Sequence, residues 1–569
     1  MSTKEDNQFH LPIELLDNKQ HVSKNLINDL ELLNTIDNKN KPLYELLLKP
    51  KTNLGTESIK KWSKYYTTDK RFLKDSQHLY RECKNINFDE VTIRKMHDLW
   101  SDFKNQNNFI EKFQFVEWEK ISFLNKSVFF LSFLSFYNIS SPVIQLVAPV
   151  MILILPFFIL KMMKLPITWN SYSKILIENL KRHSIGQLFF SFSEASLGQK
   201  MYIIFAAFMY FYNIYQNIVS CVRFYKNTHF IANYFETINY YLDYTIEKIK
   251  LLHTHTKNYK SYEKFNKELL EYKERLIKLH KSIKHLPKNN EKITKVMYIG
   301  KLMKHFYYFY NSNDLEELIQ YSFGFHGYID NILGINQNIE NHKINSASFV
   351  NKLTFNLKKM YHPIIKKPVK NNINMNKNII ITGPNAAGKT TTIKATIINT
   401  LITQQIGYGF YSEATTSCFD YIHCYLNIPD SCSRDSLFQA EARRCKNILD
   451  IISENPEKTH FCIFDELYSG TNPYEAISSA YSYLNFIAEN NNVRFLLTTH
   501  YIKLCHLFKD HKNIINKSMK TSIKKFIPNY TYKIKRGISN IKGGVCVLKN
   551  LDYPVNIIKK TQYILDKKL

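Results

Sequence analysis

Five residues of strand character, Asn378-Ile379-Ile380-Ile381-Thr382, run directly into Gly383-Pro384-Asn385-Ala386-Ala387-Gly388-Lys389-Thr390. The second block fits G-x-x-x-x-G-K-[ST], and a helical pattern from Thr391 to Gln405 follows it. This order constrains the chain to a buried strand, a tight loop and a helix. The glycines let successive backbone N–H groups face one point, and the helix N-terminus adds its dipole there. Such a loop cradles phosphate. Lys389 is placed to reach the terminal phosphates of ATP, and the Thr390 hydroxyl to ligate Mg²⁺. Gly383, Pro384, Asn385, Ala386, Ala387, Gly388 and Thr391 complete the expected ATP-binding loop.

A second block supports the first. Phe461-Cys462-Ile463-Phe464 is an apolar strand that ends in Asp465-Glu466. Asp465 is placed to hold Mg²⁺ through water, and Glu466 to polarise an attacking water. Gly470-Thr471-Asn472-Pro473 comes next, then a helix, then the strand Phe495-Leu496-Leu497-Thr498-Thr499, which ends at His500. A lone strand-end histidine is more often structural. In this order, His500 is expected beside the γ-phosphate, with Glu466 as its catalytic partner.

Acidic Asp-Glu with a downstream strand-end His is the pattern of ABC-type ATPases: transporters, SMC-type proteins and MutS. The stretch between Lys389 and Asp465 is too short for the long coiled coil of SMC-type chains, and the Leu-Ser-Gly-Gly-Gln signature of transporter domains is missing. Several blocks resemble the MutS family of DNA mismatch-repair ATPases. Thr382 to Thr391 resembles T-G-P-N-x-x-G-K-S-T, Asp465 to Asn472 resembles D-E-x-x-x-G-T-x, and Thr499-His500-Tyr501 resembles T-H-Y. Ser436-Leu437-Phe438-Gln439-Ala440-Glu441 resembles S-x-F-x-x-E, and Tyr361-His362-Pro363 resembles R-H-P. Gly543-Gly544-Val545 sits where the family has a closing glycine-containing strand. The likeness is specific from about 361 to 560 and becomes a general helical match from about 225 to 360.

The resemblance implies two ATPase domains paired head to tail, as a homodimer or a heterodimer with a paralogue. Ser436 and Phe438 would then complete the partner's nucleotide site. It also implies ATP-driven movement of helical arms that grip double-stranded DNA, mismatched or branched. Asn385 would contact phosphate or the attacking water, and His362 would lie on the base-binding side.

The chain departs from the family before residue 360. Phe115-Val116-Glu117 spells the family's base-wedging Phe-x-Glu, but no α/β reader domain surrounds it, and an ordinary amphipathic segment is the competing reading. From Ser127 to Leu160 no residue is charged, with Lys120 and Lys126 before the run and Lys161 and Lys164 after it. The run suits two short helices turning near Ser140-Ser141-Pro142. Basic flanks at both ends make it a membrane hairpin with the ATPase facing the cytosol, and the alternative is a buried core hairpin. In this respect the chain resembles truncated MutS relatives with N-terminal membrane helices. A second uncharged run, Met201 to Val222, reads as an interfacial or protein-packed helix, or as half of a second hairpin with Ile185 to Phe192. The charged stretch around Glu268 to Leu276 reads as a long solvated helix.

The expected architecture is mixed. A helical N-terminal region (1–120), the hydrophobic hairpin (121–165) and a helical lever and core region (166–360) precede an α/β P-loop ATPase domain of ABC type (361–569). The formal net charge of +28 permits nucleic-acid binding. The heavy use of Lys, Asn, Ile and Tyr is also what an AT-rich genome produces. The nine cysteines form no CxxC pair and read as reduced thiols, and the polar first 40 residues read as carrying no secretory leader. Two functions compete: an intracellular MutS-like clamp on distorted duplex DNA, and a membrane-tethered mechanochemical ATPase without mismatch specificity.

Overall fold

A computed structural model describes residues 9–37, 39–164, 168–182, 184–286, 296–426, 436–524, 527–541, 545, 548–549 and 551–567. Gly543 and Gly544, where a closing glycine-containing strand is expected, lie outside the described residues. The chain forms two compact units. The first comprises residues 1–90, 248–272 and 320–569, and the second 91–247 and 273–319. Compactness therefore divides the chain differently from the linear segments expected above: the N-terminal 90 residues belong with the C-terminal domain.

The helices, in chain order, begin with α1 (Lys24–Asp29), α2 (Leu43–Leu48), α3 (Asn53–Trp62), α4 (Lys70–Glu82), α5 (Glu90–Lys104) and α6 (Phe109–Lys112). Then come α7 (Val128–Met162), α8 (Trp169–Arg182), α9 (Ser184–Phe190), α10 (Leu197–Thr256), α11 (Glu263–Ile283), α12 (Val296–Asn311) and α13 (Asn313–Glu340). The C-terminal domain adds α14 (Lys389–Ile406), α15 (Leu437–Glu454), α16 (Pro473–Glu489), α17 (Ile502–Leu507) and α18 (Val555–Lys567).

In the first unit, strands β1 (Lys19–His21) and β2 (Tyr65–Thr67) pair antiparallel. Strands β3 (Asn345–Phe349), β4 (Phe355–Met360), β5 (Asn371–Asn374), β7 (Tyr408–Gly409) and β8 (Glu413–Thr416) form a mixed sheet in the order β5-β4-β8-β3-β7. Strands β6 (Asn378–Thr382), β9 (Tyr421–Tyr425), β10 (His460–Asp465), β11 (Val493–Thr499), β12 (Ile514–Lys524) and β13 (Ile527–Arg536) form the principal sheet, ordered β13-β12-β6-β11-β10-β9. All its pairings are parallel except β12 with β13. Every residue of β6 is buried, as is all of β10 before Asp465. Near-continuous apolar strands of this kind are what a parallel sheet covered on both faces requires. The α/β character expected of this region is borne out.

Helix α14 is buried along most of its length, including its polar residues. The N-terminal segment supplies their partners. Tyr44 donates from its hydroxyl to Gln405 at 2.8 Å, and the Gln405 amide donates to the Trp62 and Tyr65 carbonyls, each at 2.9 Å. Gln404 donates to the carbonyls of Thr67 and Phe419. The same segment clasps α13. A side chain at Gly334 would stand 1.7 Å from the Leu48 carbonyl oxygen, so only glycine admits this approach. Asp330 accepts from the backbone N–H of Lys51 and Thr52 and from the Thr52 hydroxyl, which in turn caps α3.

The second unit is helical. The hairpin expected within 127–160 is corrected: α7 is one continuous helix through Ser140-Ser141-Pro142. Pro142 cannot donate to the Asn138 carbonyl four residues back, but the Ser141 hydroxyl reaches that carbonyl at 3.5 Å. This is the usual way an apolar helix tolerates an interior proline. The run Met201 to Val222 is the first part of α10, and it packs on α7. Tyr210 donates to the Gln145 carbonyl, Asn217 to the Gln145 side chain, and Cys221 to the Ile139 carbonyl. Rising residue numbers on α10 meet falling numbers on α7, so the two helices run antiparallel. Phe115 is also placed differently from a wedge. It is 5 % exposed and packs on Phe109 and Tyr307, at centroid distances of 5.6 and 5.1 Å.

Candidate active site

The parallel register brings three strand ends to one edge of the principal sheet. Thr382 at the end of β6 pairs with Thr499 on β11, and Thr498 pairs with Asp465 at the end of β10. Everything beyond these residues therefore opens at the carboxyl edge of the sheet, where open α/β sheets gather their chemistry. The three sequence blocks meet there.

The loop from Gly383 to Gly388 turns tightly between β6 and α14. Ala386 has φ of 63° and Gly388 a φ of 89°, the latter as N-cap of α14. Gly388 also lies beneath the Tyr532 ring, where a side-chain carbon would meet Tyr532 Cδ1 at 3.0 Å. Ala387 is buried and its N–H reaches the Pro384 carbonyl at 3.3 Å. The Lys389 ammonium folds back over this loop. It donates to the Gly383 carbonyl at 3.0 Å, the Pro384 carbonyl at 3.4 Å and Asn385 Oδ1 at 3.5 Å. Lys389 Nζ also stands 3.6 Å from Glu466 Oε1.

The Thr390 hydroxyl donates to Asp465 Oδ2 at 2.8 Å, and the Thr498 hydroxyl donates to Asp465 Oδ1. Glu466 follows in a left-handed conformation, φ 50°, with its N–H on the Thr498 carbonyl at 3.0 Å. Backbone in this region is costly for a residue with a side chain and persists where the surroundings over-determine it. His500 Nδ1 lies 3.6 Å from Glu466 Oε1. The His500 imidazole holds the Glu466 carboxyl below the usual glutamate range. Burial opposes this shift, and the Lys389 ammonium reinforces it.

A cavity of about 700 Å³ opens above this cluster. One wall is polar: Asn385, Ala386, Gly388, Lys389, Thr390, Thr391, Asp465 and Glu466. The other is formed by Tyr361, His362, Ile365, Pro368 and Val369, with Asn371 and Tyr532 at the side. The size is that of a small-molecule pocket. Burial pushes the His362 imidazole down to about 4, with the Lys394 charge contributing, so His362 is neutral near pH 7. Its Nδ1 is buried without a hydrogen-bond partner among the described residues.

The structure thus brings together Asn385, Ala386, Gly388, Lys389, Thr390, Thr391, Asp465, Glu466 and His362 around one cavity, with His500 behind Glu466. Ser436 and Phe438 stand apart from it. Ser436 is the N-cap of α15, accepting from the Gln439 N–H at 3.3 Å while Gln439 bonds back to the Ser436 N–H at 2.9 Å. Phe438 packs on Tyr468, with ring centroids 5.7 Å apart.

Sequence reading did not single out Tyr532 or Asn371. Asn371 donates to the Tyr532 carbonyl at 2.8 Å and accepts from the Ile534 N–H at 3.0 Å, which ties β13 to the start of β5. No motif marks either residue.

A profile of MutS domain V matches residues 379–568. The DNA mismatch repair protein MutS of Persephonella marina is 32 % identical over 228 residues, covering 37 % of this chain and 26 % of the relative. The MutS2 protein of Bacillus subtilis is 30 % identical over 207 residues, covering 36 % of this chain and 26 % of the relative. The MutS protein of Staphylococcus aureus is 27 % identical over 230 residues, covering 39 % and 26 %. The chain therefore spans about a quarter of the length of these curated relatives. Through the domain that carries this cavity, the chain is similar to the MutS family.

Proposed function

We propose that the chain is a MutS-like P-loop ATPase whose hydrolysis cycle drives a clamp on double-stranded DNA, with mismatched or branched duplex as the preferred substrate. The observation that carries the reading is the meeting of Lys389, Thr390, Asp465, Glu466 and His500 at one sheet edge beneath a nucleotide-sized cavity. ATP would lie with its phosphates on the Gly383–Thr391 loop and its base against Tyr361, His362, Ile365 and Val369. A neutral His362 offers hydrogen bonding to a base without adding charge.

The donor set fits Mg²⁺. Thr390 and Asp465 present hard oxygen ligands side by side, and Mg²⁺ takes one or two such protein ligands together with substrate phosphates. When bound, the ion would neutralise phosphate charge. The protein residues do the rest. Lys389 holds the terminal phosphates, and Asn385 orients phosphate or the attacking water. Glu466, kept ionised by His500 and Lys389, accepts the proton of that water. His500, behind Glu466, holds the Glu466 carboxylate in place beside the γ-phosphate. In a head-to-tail pair of these domains, as a homodimer or with a paralogue, Ser436 and Phe438 would reach the partner's nucleotide.

A second reading keeps this engine and tethers it to a lipid bilayer. It is favoured by the exposure of α7 and the start of α10. Phe129, Phe133, Val143 and Leu146 on α7 and Tyr202, Phe205 and Phe208 on α10 are all more than half exposed. Val128–Ala148 is long and apolar enough to cross a membrane. Apolar surface of this extent marks an interaction site, and the antiparallel pair would return the chain to the side it left, as the basic flanks ask.

The test is the ATPase rate of full-length protein with homoduplex, mismatched and branched DNA, together with flotation on liposomes. Stimulation selective for distorted duplex supports the clamp. Flotation with a rate indifferent to every DNA supports the tether and removes the DNA clamp.

A further inference from the structure

Next to the nucleotide-sized cavity, within the same compact unit, lies a second cavity of about 690 Å³. Five lysines line it: Lys41, Lys49, Lys343, Lys366 and Lys370. Glu45 is the one carboxylate in its lining, and it pairs with Lys41 at 3.9 Å. Among the described residues, no carboxylate stands within ion-pair distance of Lys49, Lys343, Lys366 or Lys370.

The lysines come from separate parts of the chain. Lys49 ends α2 in a left-handed conformation, φ 39°. Lys343 follows α13, and Lys366 and Lys370 precede and abut β5. The fold therefore assembles the charge, and no local run produces it. Burial and then the neighbouring Lys343 charge push the Lys49 ammonium down. Asn338 also lines the cavity. It is 1 % exposed and donates to the Leu46 and Leu47 carbonyls, while its own amide oxygen has no partner among the described residues.

Tyr361, Ile365 and Pro368 line both cavities, so the 361–368 segment is the wall between them. Tyr361 is anchored to the basic side. Its hydroxyl donates to the Lys343 carbonyl at 2.6 Å, and the Lys370 ammonium lies over its ring at 5.2 Å.

We propose that this lysine-lined cavity binds a small polyanion carrying more than one phosphate, separately from the nucleotide site. Lysine ammoniums are point charges suited to phosphate oxygens. A concave space of this volume suits a small molecule better than the open stripe a nucleic-acid backbone tracks.

The test is calorimetric titration of the full-length chain with tripolyphosphate, with the nucleotide site filled by a non-hydrolysable ATP analogue. The expected result is one binding event, weakened roughly tenfold or more by Lys343→Glu with Lys366→Glu. Both side chains are exposed, so the fold is expected to stand, and an unchanged melting temperature checks it. Lys389→Ala, titrated without the analogue, should still bind tripolyphosphate, which separates this site from the nucleotide reading. Lys509→Glu with Lys512→Glu, an exposed pair elsewhere, should leave the affinity unchanged. The proposal is overturned by equal affinity in the Lys343/Lys366 variant or by equal loss in the Lys509/Lys512 control. Displacement of tripolyphosphate by short duplex DNA that needs the same lysines would overturn it in favour of a nucleic-acid surface.

Discussion

The Glu441 carboxylate holds the loop that follows Glu466. One oxygen accepts from the Ser469 N–H at 3.1 Å and the Ser469 hydroxyl at 2.9 Å, and the other accepts from the Gly470 N–H at 3.1 Å. Glu441 is 2 % exposed, and Gly470 lies so close to α15 that a side-chain carbon there would meet the Phe438 nitrogen at 2.8 Å. The two sequence blocks S-x-F-x-x-E and D-E-x-x-x-G-T are thus bonded to each other within one chain.

Glu441 is accordingly a positioning residue. In Glu441→Gln one amide nitrogen must face an N–H donor, either Ser469 or Gly470, so at least one hydrogen bond becomes a donor–donor contact. The expected cost is about 1.5–3 kcal/mol, the range for a hydrogen bond to a charged group, read by urea denaturation. If the loop carries Glu466 as proposed, kcat falls while KM for ATP changes little. A parallel rise in KM with kcat intact would remove the positioning role.

Lys389 and Glu466 should separate binding from hydrolysis. Lys389→Ala removes the ammonium that spans the loop, and fluorescent-nucleotide binding is expected to be lost. Glu466→Gln keeps the shape of the side chain and abolishes its basicity, so binding is expected to persist while turnover falls by roughly 10²–10⁴-fold, the usual worth of a general base. Normal turnover in Glu466→Gln would transfer the base role to another group.

The site was legible in the sequence where its chemistry is local. The strand that ends at Thr382, the glycine loop and the Asp465-Glu466 strand end each combine a short apolar run with a fixed polar pattern, and parallel pairing then aligns their ends. What the sequence hid is carried by the backbone or by distant chain. The N-terminal segment serves Gln404 and Gln405 through the carbonyls of Trp62, Tyr65 and Thr67, and a carbonyl has no sequence signature. Tyr532 reaches Gly388 from a strand far downstream, held by Asn371, with nothing local to mark it. The uncharged run, long enough for two short spans, suggested two helices turning near Ser140-Ser141-Pro142, yet the chain continues through Pro142 as one helix. The Ser141 hydroxyl, one residue away, serves the carbonyl that Pro142 cannot.

Ser436 has two readings that a pair of substitutions separates. Its hydroxyl caps α15, so Ser436→Ala is expected to cost about 1 kcal/mol of stability. Asn caps a helix about as well as Ser but lacks the hydroxyl. If Ser436 completes a partner's site, Ser436→Asn keeps stability and slows hydrolysis, and added Lys389→Ala subunits, whose Ser436 is intact, restore part of the rate. Unaltered turnover in a Ser436→Asn homodimer would leave Ser436 a helix cap only.

Acid should destabilise the protein through its buried histidines. Burial pushes His326 and His423 down to about 3, and His362 to about 4. At His423 the tautomers follow from the partners. His460 Nε2 meets the Asn455 carbonyl at 3.0 Å and must donate to it, so His460 Nδ1 accepts from His423 Nε2 across 3.1 Å. Adding a proton to that Nδ1 would set N–H against N–H. The unfolded chain takes up protons below pH about 6.5 that these folded imidazoles refuse. Their stability contribution is therefore complete above that value and is lost as pH falls toward 4 and then 3, at roughly 1.4 kcal/mol per pH unit for each histidine. Asp29, whose buried carboxyl is pushed up to about 6, acts with the opposite sign between there and the unfolded value. The comparison of His423→Gln with wild type isolates the histidine. The wild-type denaturation midpoint should fall more steeply than that of the variant between pH 6.5 and 5, and parallel curves would show that His423 takes up its proton in the folded state.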